Sequence, residues 1–246
     1  MLYIITIVII FFILLMVFAY VLQPKQSSYK GKHKKSSIDY IFYWINLNKS
    51  EDRKKRMEKL LKKQNIKNVH ISAIDGGKDL NLRACACCAS HIKAIKTFYE
   101  SGNDVGIICE DDISFEYKKY WRNTLTNVIN EAPKDWEILQ LGVITSWFWP
   151  HAIIKNSKQL YIPYHDYISS TLCYVINRKG AEKLLQVKEK PSNHAELYIY
   201  KNVKTYTYKY PMFTYPTEND STIHSDHLPD HIYSKNLITK HLKYSK

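Results

Sequence analysis

"VGIICEDDISFEY", Val105 to Tyr117, is the stretch from which the fold class and the candidate site can be inferred. Its first five residues are apolar and mostly β-branched, which is typical of a buried strand. The strand then meets three acidic residues in a row, Glu110, Asp111 and Asp112, and no Lys or Arg lies nearer in sequence than Lys118. Since adjacent carboxylates repel one another, either water solvates this triplet or a positively charged group sits among its members.

The segments on either side of this stretch alternate between strand-like and helix-like patterns. Further strands are predicted at Ile38–Leu47, Val69–Ile74, Glu137–Leu141 and Ile168–Ile176. Helices are predicted from an N-cap at Ser50, over Cys87–Ser101 and over Arg178–Leu185. Such alternation predicts an α/β fold of the Rossmann type, with a mostly parallel sheet covered by helices on both faces.

Ligands of open α/β sheets bind beyond the carboxyl ends of the strands, where the acidic triplet is expected to lie. In extended backbone Glu110 and Asp112 project to the same side, about 6–7 Å apart. Two such carboxylates suit a hard divalent cation, Mg²⁺ or Mn²⁺ rather than zinc, and such an ion clamps a diphosphate. The alternative is a solvated acidic turn without a ligand.

The N-terminus carries a separate pattern. Residues 1–22 contain an uncharged run of 21 residues from Leu2 to Leu22, long enough as a helix to span a hydrocarbon core of about 30 Å. We predict an uncleaved membrane anchor rather than a signal peptide, because a basic lead-in and a small-residue cleavage site are not evident. Residues 23–37 are polar and basic and are interpreted as a linker, whose lysines favour a cytosolic position for the globular part of the chain.

Residues 38–246 are predicted to form one globular domain, with a less regular tail over 216–246. The net charge of +13 indicates affinity for anions, but the lysines are scattered and the tyrosines are not interleaved with them, so nucleic acid is not expected as a partner. The five cysteines include a C-x-C-C-x-x-H group at Cys85 to His91. This spacing does not match a zinc site, and we predict that these cysteines pack on a helix.

Seven motifs of the chain, in the same order, resemble those of glycosyltransferase family 25, which includes bacterial lipooligosaccharide galactosyltransferases and procollagen galactosyltransferases. The motifs are "YWINLNKSEDRKKRMEKLL" (Tyr43–Leu61), "AIDG" (Ala73–Gly76), "CCASHIKAIKTF" (Cys87–Phe98), "IICEDDISF" (Ile107–Phe115), "DWEILQLG" (Asp135–Gly142), "CYVINRKGAEKLL" (Cys173–Leu185) and "STI" (Ser221–Ile223). They cover most of the predicted globular domain.

The resemblance implies a GT-A-like fold, a UDP-sugar donor and a Mn²⁺ (or Mg²⁺) ion. The implied reaction is inverting transfer of a hexose, galactose or glucose, to a hydroxyl of a glycan or protein acceptor. The ion would be held by Asp112 with Glu110 or Asp111, and by His224 from the tail. A general base must deprotonate the acceptor. The family places an acidic residue near Glu196, although the surrounding "SNHAELY" departs from the usual "P-V-D", and His194 and Asp166 are alternatives.

Further residues match family positions around the donor. Asn46, Asp75 and Gly76 would flank the uracil and ribose, and Arg53 would meet a phosphate. Ser90 and His91 lie on the "GCALSH"-like helix and would contact the donor. Five of the candidate site residues also have a plain structural alternative: Asn46 as a helix cap, Arg53 as a solvated helix residue, His91 as a packed core histidine, Glu196 as a helix-surface residue and His224 as part of a His-rich tail.

Two other functions compete with the transferase hypothesis. The altered "P-V-D" segment and the cysteine-rich helix are compatible with a catalytically inactive homologue that binds a nucleotide sugar or a glycan. The same carboxylates also suit a metal-dependent nucleotidyltransferase or hydrolase, which would attack at phosphorus. For a transferase of this family a luminal or extracytoplasmic domain is expected, in conflict with the linker lysines.

Overall fold

The computed structural model describes residues 38–145, 149–150, 152, 158–191, 194–217 and 228–245. The predicted anchor and linker, the "STI" motif and His224 lie outside these residues, so what was inferred for them stays a prediction. Within the described ranges, no helix combines the length and the apolar character that crossing a bilayer requires.

The described elements follow one another in an alternating order. The strands are β1 (Ile41–Asn46), β2 (Asn68–Ser72), β3 (Val105–Glu110), β4 (Ile138–Gln140), β5 (Ile144–Thr145), β6 (Tyr161–Pro163), β7 (Ile168–Ser169), β8 (Cys173–Asn177) and β9 (Thr205–Tyr208). The helices are α1 (Glu51–Lys63), α2 (Leu80–Glu100), a 3₁₀ helix (Glu116–Tyr120), α3 (Leu125–Asn130), α4 (Arg178–Leu185), α5 (Ala195–Lys201) and α6 (Leu228–Tyr244).

Seven strands form the main sheet in the order β2-β1-β3-β8-β4-β9-β6, and β5 pairs with β7 in a small second sheet. Strands β1, β2, β3, β4 and β9 run in one direction, whereas β8 and β6 are antiparallel to their neighbours. The predicted mostly parallel α/β sheet is confirmed. The single strand predicted over Ile168–Ile176 is wrong: the segment divides into β7 and β8, separated by the non-strand residues 170–172.

Both faces of the sheet are covered. Along β1, Phe42 and Trp44 face the side packed by α1 and α3, while Tyr43 and Ile45 face the side packed by α2, α4 and α5. Alternate residues therefore serve two hydrophobic clusters, which explains why the strand is apolar throughout.

Helix α2 begins seven residues earlier than predicted. Asp79 caps it, since its Oδ1 accepts a hydrogen bond from Leu82 N at 2.9 Å. The helix crosses β3 closely: a Cβ on Gly106 would lie 2.5 Å from the Phe98 ring. This approach packs the C-terminal part of α2 against the start of β3, while His91, in the middle of α2, lies 3.6 Å from Glu110 at the end of β3.

The tail is more regular than predicted, because residues 228–244 form the 17-residue helix α6. Ser234, Ile238 and Leu242, four residues apart, are its buried positions. Ile238 and Leu242 pack in a cluster with Tyr117 of the 3₁₀ helix. The segment that follows the acidic triplet is thereby fixed to the C-terminal helix.

Candidate active site

Polar side chains from separate segments meet at the carboxyl edge of the parallel strands. In the strand register Ile45 lies opposite Glu110, and Asn46 lies opposite Ser72. Because β8 is antiparallel to β3, the residues entering β8 lie at this edge as well, and Glu110 N donates to Leu172 O at 3.0 Å. The acidic triplet is therefore surrounded by the ends of β1 and β2 and the start of β8.

Asp111 is the inward-facing member of the triplet. Its carboxylate accepts a hydrogen bond from Asn46 Nδ2 at 2.5 Å and pairs with Arg53 Nη2. Arg56 Nη2 donates to its backbone carbonyl at 3.0 Å. Burial raises the pKa of Asp111, although Arg53 and Asn46 oppose the shift. Asp111 thus attaches the acidic turn to α1 and the end of β1.

Glu110 is held from the opposite side. Thr171 Oγ1 donates to its Oε1 at 2.8 Å, and His91 Nε2 lies 3.6 Å from the same oxygen. Burial acts to raise its pKa, but His91, Thr171 and Arg53 outweigh that effect and leave the pKa of Glu110 below its ordinary value. Its side chain remains 31% exposed, so the carboxylate can still meet a ligand.

Asp112 is the least compensated of the three. Arg53 Nη2 lies 3.1 Å from its Oδ2, while its Oδ1 is buried and has no hydrogen-bond partner among the described residues. Burial and the charges of Glu110 and Asp111 raise its pKa to about 7, against the opposing influence of Arg53 and Arg56. A carboxylate with a buried oxygen beside two other carboxylates is costly unless a cation balances it.

The carboxylate oxygens at this edge fit a hard cation whose remaining ligands would come from a phosphate and water. In the part of the chain that the structure describes, no group of three or more His, Cys, Asp or Glu side chains is arranged to hold a metal. Glu110 and Asp112 together offer two carboxylates, and Mg²⁺ commonly uses one or two carboxylates plus substrate phosphates and water. Asp111 was predicted as a further ligand, but its carboxylate is turned towards Asn46 and Arg53.

Three residues predicted to contact the donor lie behind the site instead. Asn46 and Ser90 are 1% exposed and His91 is fully buried. Ser90 Oγ accepts from Ile74 N at 2.8 Å and donates to Ala86 O at 2.7 Å, and His91 Nδ1 lies 3.2 Å from the Tyr174 hydroxyl. The structure does not support direct donor contacts by these side chains, which instead hold the loop after β2 and the carboxylates.

The loop after β2 presents Asp75 at the rim. Lys49 Nζ lies 2.7 Å from Asp75 Oδ2, and Asp75 Oδ1 accepts from Gly77 N at 2.9 Å. The hydrogen bond from Lys49, followed by that from Gly77, lowers the pKa of Asp75. A Cβ on Gly76 would lie 2.5 Å from the Arg83 backbone, so glycine is required where the loop passes the start of α2.

The proposed bases come from the segment around α5. Glu196 is the second residue of α5 and is partly exposed. Burial raises the pKa of the Cys87 thiol, and the charges of Glu110 and then Glu196 raise it further. Asp166 is engaged with Lys201 at 2.7 Å, and His194 is exposed at the start of α5.

Sequence reasoning missed Thr171 and Arg56. Arg56 follows Arg53 by three residues, a spacing that places both on one face of α1 and that predicts a shared target. Thr171 carries no comparable pattern, because its approach to Glu110 depends on the antiparallel entry of β8.

Comparison with known proteins gives a consistent result. Residues 72–199 match the model of a family described as glycosyltransferase family 25 (LPS biosynthesis protein). The chain is 28% identical over 180 residues to procollagen galactosyltransferase 1-B of Xenopus laevis, covering 63% of this chain and 29% of that protein. It is 29% identical over 178 residues to human procollagen galactosyltransferase 2, covering 61% and 28%.

The chain therefore spans less than a third of the length of the curated relatives it matches. Among solved structures, it is similar to a glycosyltransferase involved in glycosylation of the major capsid of PBCV-1, with a TM-score of 0.48 and 8% identity. That alignment covers 77% of this chain and 98% of the other.

Proposed function

The chain belongs to glycosyltransferase family 25, and from this membership we propose that it transfers a hexose from a UDP-sugar to a hydroxyl of a glycan or protein acceptor. Galactose is the favoured hexose, because several of the curated relatives are named galactosyltransferases. The sheet is compatible with a GT-A-like fold, in which the donor would bind at the carboxyl edge of β1, β2 and β3.

The acidic edge supplies the donor site in this proposal. Asp112, with Glu110, would hold Mn²⁺ or Mg²⁺ against the diphosphate, and Arg53 would add positive charge beside it. When bound, the cation neutralises the negative charge that develops on the departing UDP. Asp75 and the loop at Gly76 would flank the nucleoside, while Asn46, Ser90 and His91 support these groups from behind.

Inverting transfer places the acceptor on the face of the sugar opposite UDP. We assign Glu196 as the base that takes the proton of the acceptor hydroxyl. The acceptor oxygen forms a bond to the anomeric carbon as the bond from that carbon to the UDP oxygen breaks, and UDP leaves with the electron pair. The place of Glu196 at the start of α5, near the point where the family carries an acidic residue, supports this role.

One observation carries the proposal: in a chain of this family, the buried Oδ1 of Asp112, two residues beyond Glu110 at the carboxyl edge of the sheet, has no hydrogen-bond partner among the residues that the structure describes. The direct test incubates the purified full-length chain with Mn²⁺ and either UDP-galactose or UDP-glucose and measures released UDP. We expect slow release by hydrolysis even without the acceptor, and loss of release on chelation. Binding of UDP without release from any donor would identify an inactive homologue, and UMP as the product would indicate attack at phosphorus.

The base assignment has its own test. With an acceptor that supports transfer, Glu196→Gln should lower transfer at least about 100-fold, as expected for loss of a general base, and leave UDP binding unchanged. Glu182→Gln, on the exposed surface of α4, is the matched control and should retain activity. Equal activity of both variants would exclude Glu196 as the base.

A further inference from the structure

A buried amide lies behind the acidic edge, in a part of the sheet that the proposed mechanism does not use. Gln140, the last residue of β4, is fully buried. Its Nε2 donates to Ser169 O at 2.9 Å and to Ser170 O at 3.0 Å, and Ile168 O lies 3.4 Å away. Three successive carbonyl groups of one loop are thus gathered around a single side-chain amide.

The orientation of this amide is fixed from the other side. Thr207 Oγ1, on the neighbouring strand β9, donates to Gln140 Oε1 at 2.7 Å. Because the loop carbonyls can only accept, the amide nitrogen must face them, and the amide oxygen is then the atom that accepts from Thr207. Thr207 is itself fully buried, so water does not compete for this hydrogen bond.

The loop that the amide holds has a strained backbone. Ser170 has a φ of 93°, a left-handed conformation that non-glycine residues rarely adopt. Tyr200 OH also donates to Ser170 O at 2.9 Å, and Leu172 N donates to Ser170 Oγ at 3.0 Å. Such strain persists only where surrounding contacts enforce it, and it is concentrated at functional sites.

The strained residue immediately precedes Thr171, whose hydroxyl donates to Glu110 Oε1 at 2.8 Å. We propose that Gln140 is a positioning residue: by holding the carbonyls of residues 168–170, it sets the backbone from which Thr171 orients the Glu110 carboxylate. This inference rests on the proposed function, because the orientation of Glu110 affects ligand binding only if Glu110 faces the cation and the diphosphate. Gln140 itself is fully buried and would touch neither substrate nor cation.

A purely structural role for Gln140 makes a different prediction. Loss of its hydrogen bonds would then lower the melting temperature and leave ligand affinity unchanged. A positioning role instead links the amide to one carboxylate. The readout is therefore the affinity of the full-length chain for UDP in the presence of Mn²⁺, measured by calorimetry beside the melting temperature.

The variants form a graded series. Gln140→Leu keeps the approximate shape of the side chain but removes the amide. Thr171→Val removes the hydroxyl that donates a hydrogen bond to Glu110. Each should weaken Mn²⁺-dependent UDP binding about tenfold, as is usual for partners that orient a metal ligand. The double variant should be no weaker than Thr171→Val alone, because both changes break one chain of contacts. Thr171→Ser, which keeps the hydroxyl, should restore affinity.

A matched pair of threonines guards against misfolding of the Gln140 variant. Thr207→Val frees the amide and should weaken binding about threefold, in line with a more remote partner. Thr205→Val, two residues earlier on the same strand, removes a buried hydroxyl that donates to Tyr200 O and should leave affinity unchanged. Equal affinity of Thr207→Val, Gln140→Leu and wild type, or additive losses in the double variant, would overturn the inference.

A second measurement separates this inference from the proposed function. If the wild-type chain binds neither UDP nor Mn²⁺, the proposed function fails. The link from Gln140 through the backbone of residues 168–170 to Thr171 is then tested separately, by the Thr171 methyl resonance in threonine-labelled protein. We expect Gln140→Leu and Thr207→Val to shift that resonance and Thr205→Val to leave it in place. A Thr171 resonance that is unmoved in both Gln140→Leu and Thr207→Val would show that Gln140 does not position Thr171, whatever the protein binds.

Discussion

Two carboxylates at opposite edges of the sheet, Glu137 fully buried and Asp112 partly buried, show how differently this chain treats the same chemical group. Glu137, which precedes β4, has a side chain only 1% exposed. Lys183 Nζ and Lys179 Nζ lie 2.5 and 3.3 Å from its Oε1, and Lys204 N donates to its Oε2 at 2.8 Å. Asp112, just beyond β3, shares one arginine with Asp111 and has a buried oxygen without a hydrogen-bond partner among the described residues.

The pKa values of the two groups move in opposite directions. Burial acts to raise the pKa of Glu137, but the lysines and the backbone amide outweigh it and the pKa is lowered. Burial and neighbouring carboxylates raise the pKa of Asp112 to about 7. Burial alone therefore does not distinguish a structural carboxylate from a functional one. Compensation does: Glu137 is balanced by the fold, whereas Asp112 is only partly balanced by Arg53, as expected for a carboxylate that would hold the proposed cation.

The largest expected effect comes from removing the uncompensated charge. Asp112→Asn should lower Mn²⁺-dependent UDP release from UDP-galactose roughly 1,000-fold, because a bound cation contributes several kcal/mol of charge stabilisation. The same change should leave the melting temperature of the ligand-free protein unchanged or raise it, since it relieves repulsion at the acidic edge. Activity and thermal unfolding measured on one preparation test both statements, and a strongly destabilised variant would place Asp112 in the same class as Glu137.

Arg53 provides the partial compensation at the acidic edge, so its removal should cost stability. Arg53→Met takes the paired cation from the 7%-exposed Asp111, keeps the hydrogen bond from Asn46, and should lower the free energy of unfolding by about 3 kcal/mol, as when one partner of a buried ion pair is removed. Combining it with Asp112→Asn should recover part of that loss, because one repelling charge is gone. Urea unfolding of the single and double variants gives the coupling energy, and simple additivity would argue against a shared charge cluster.

The contrast between the two carboxylates was only partly visible in the sequence. The apolar runs of β1 and β3 and the helix over Arg178–Leu185 were predicted from local pattern, and so was the acidic triplet at a strand end. Local pattern does not reveal which charges are paired. The partners of Glu137 come from α4 and the residue before β9, and Thr171 reaches Glu110 because β8 enters antiparallel.

Helix α6 was missed for a related reason. Its buried positions, Ser234, Ile238 and Leu242, include only two apolar residues, and so it shows no wide apolar stripe. Its packing beside Tyr117 depends on tertiary contacts that the sequence pattern does not encode. The donor contacts predicted for Ser90 and His91 were unsupported because motif positions do not show which side of a helix is buried.

A smaller loss of stability is expected at Glu137, whose charge is balanced by lysines and a backbone amide. Glu137→Gln removes the charge that faces Lys179 and Lys183 and should lower the free energy of unfolding by about 2 kcal/mol. This is less than for a fully buried pair, because both lysines are about half or more exposed. UDP affinity below the melting range should not change. Lys179→Met, which removes the more distant lysine, is the matched control and should cost less; a loss of UDP affinity in Glu137→Gln would contradict the separation of the two regions.

The smallest expected effect is the pH dependence of the contribution that the Glu137 charge makes to the free energy of unfolding. The pKa of Glu137 is lower in the folded state than in the unfolded chain, so its charge stabilises the fold fully above its ordinary pKa near 4.5. As the pH falls below that value and through the folded pKa, the unfolded state takes up the proton more readily and this contribution is lost. The difference in unfolding free energy between wild type and Glu137→Gln should therefore be constant from pH 7 to about 5.5 and narrow by about 1 kcal/mol towards pH 3. Urea unfolding of both proteins across this range measures it, and a gap that widens on acidification would mean that Glu137 is not held in its charged form by Lys183 and its neighbours.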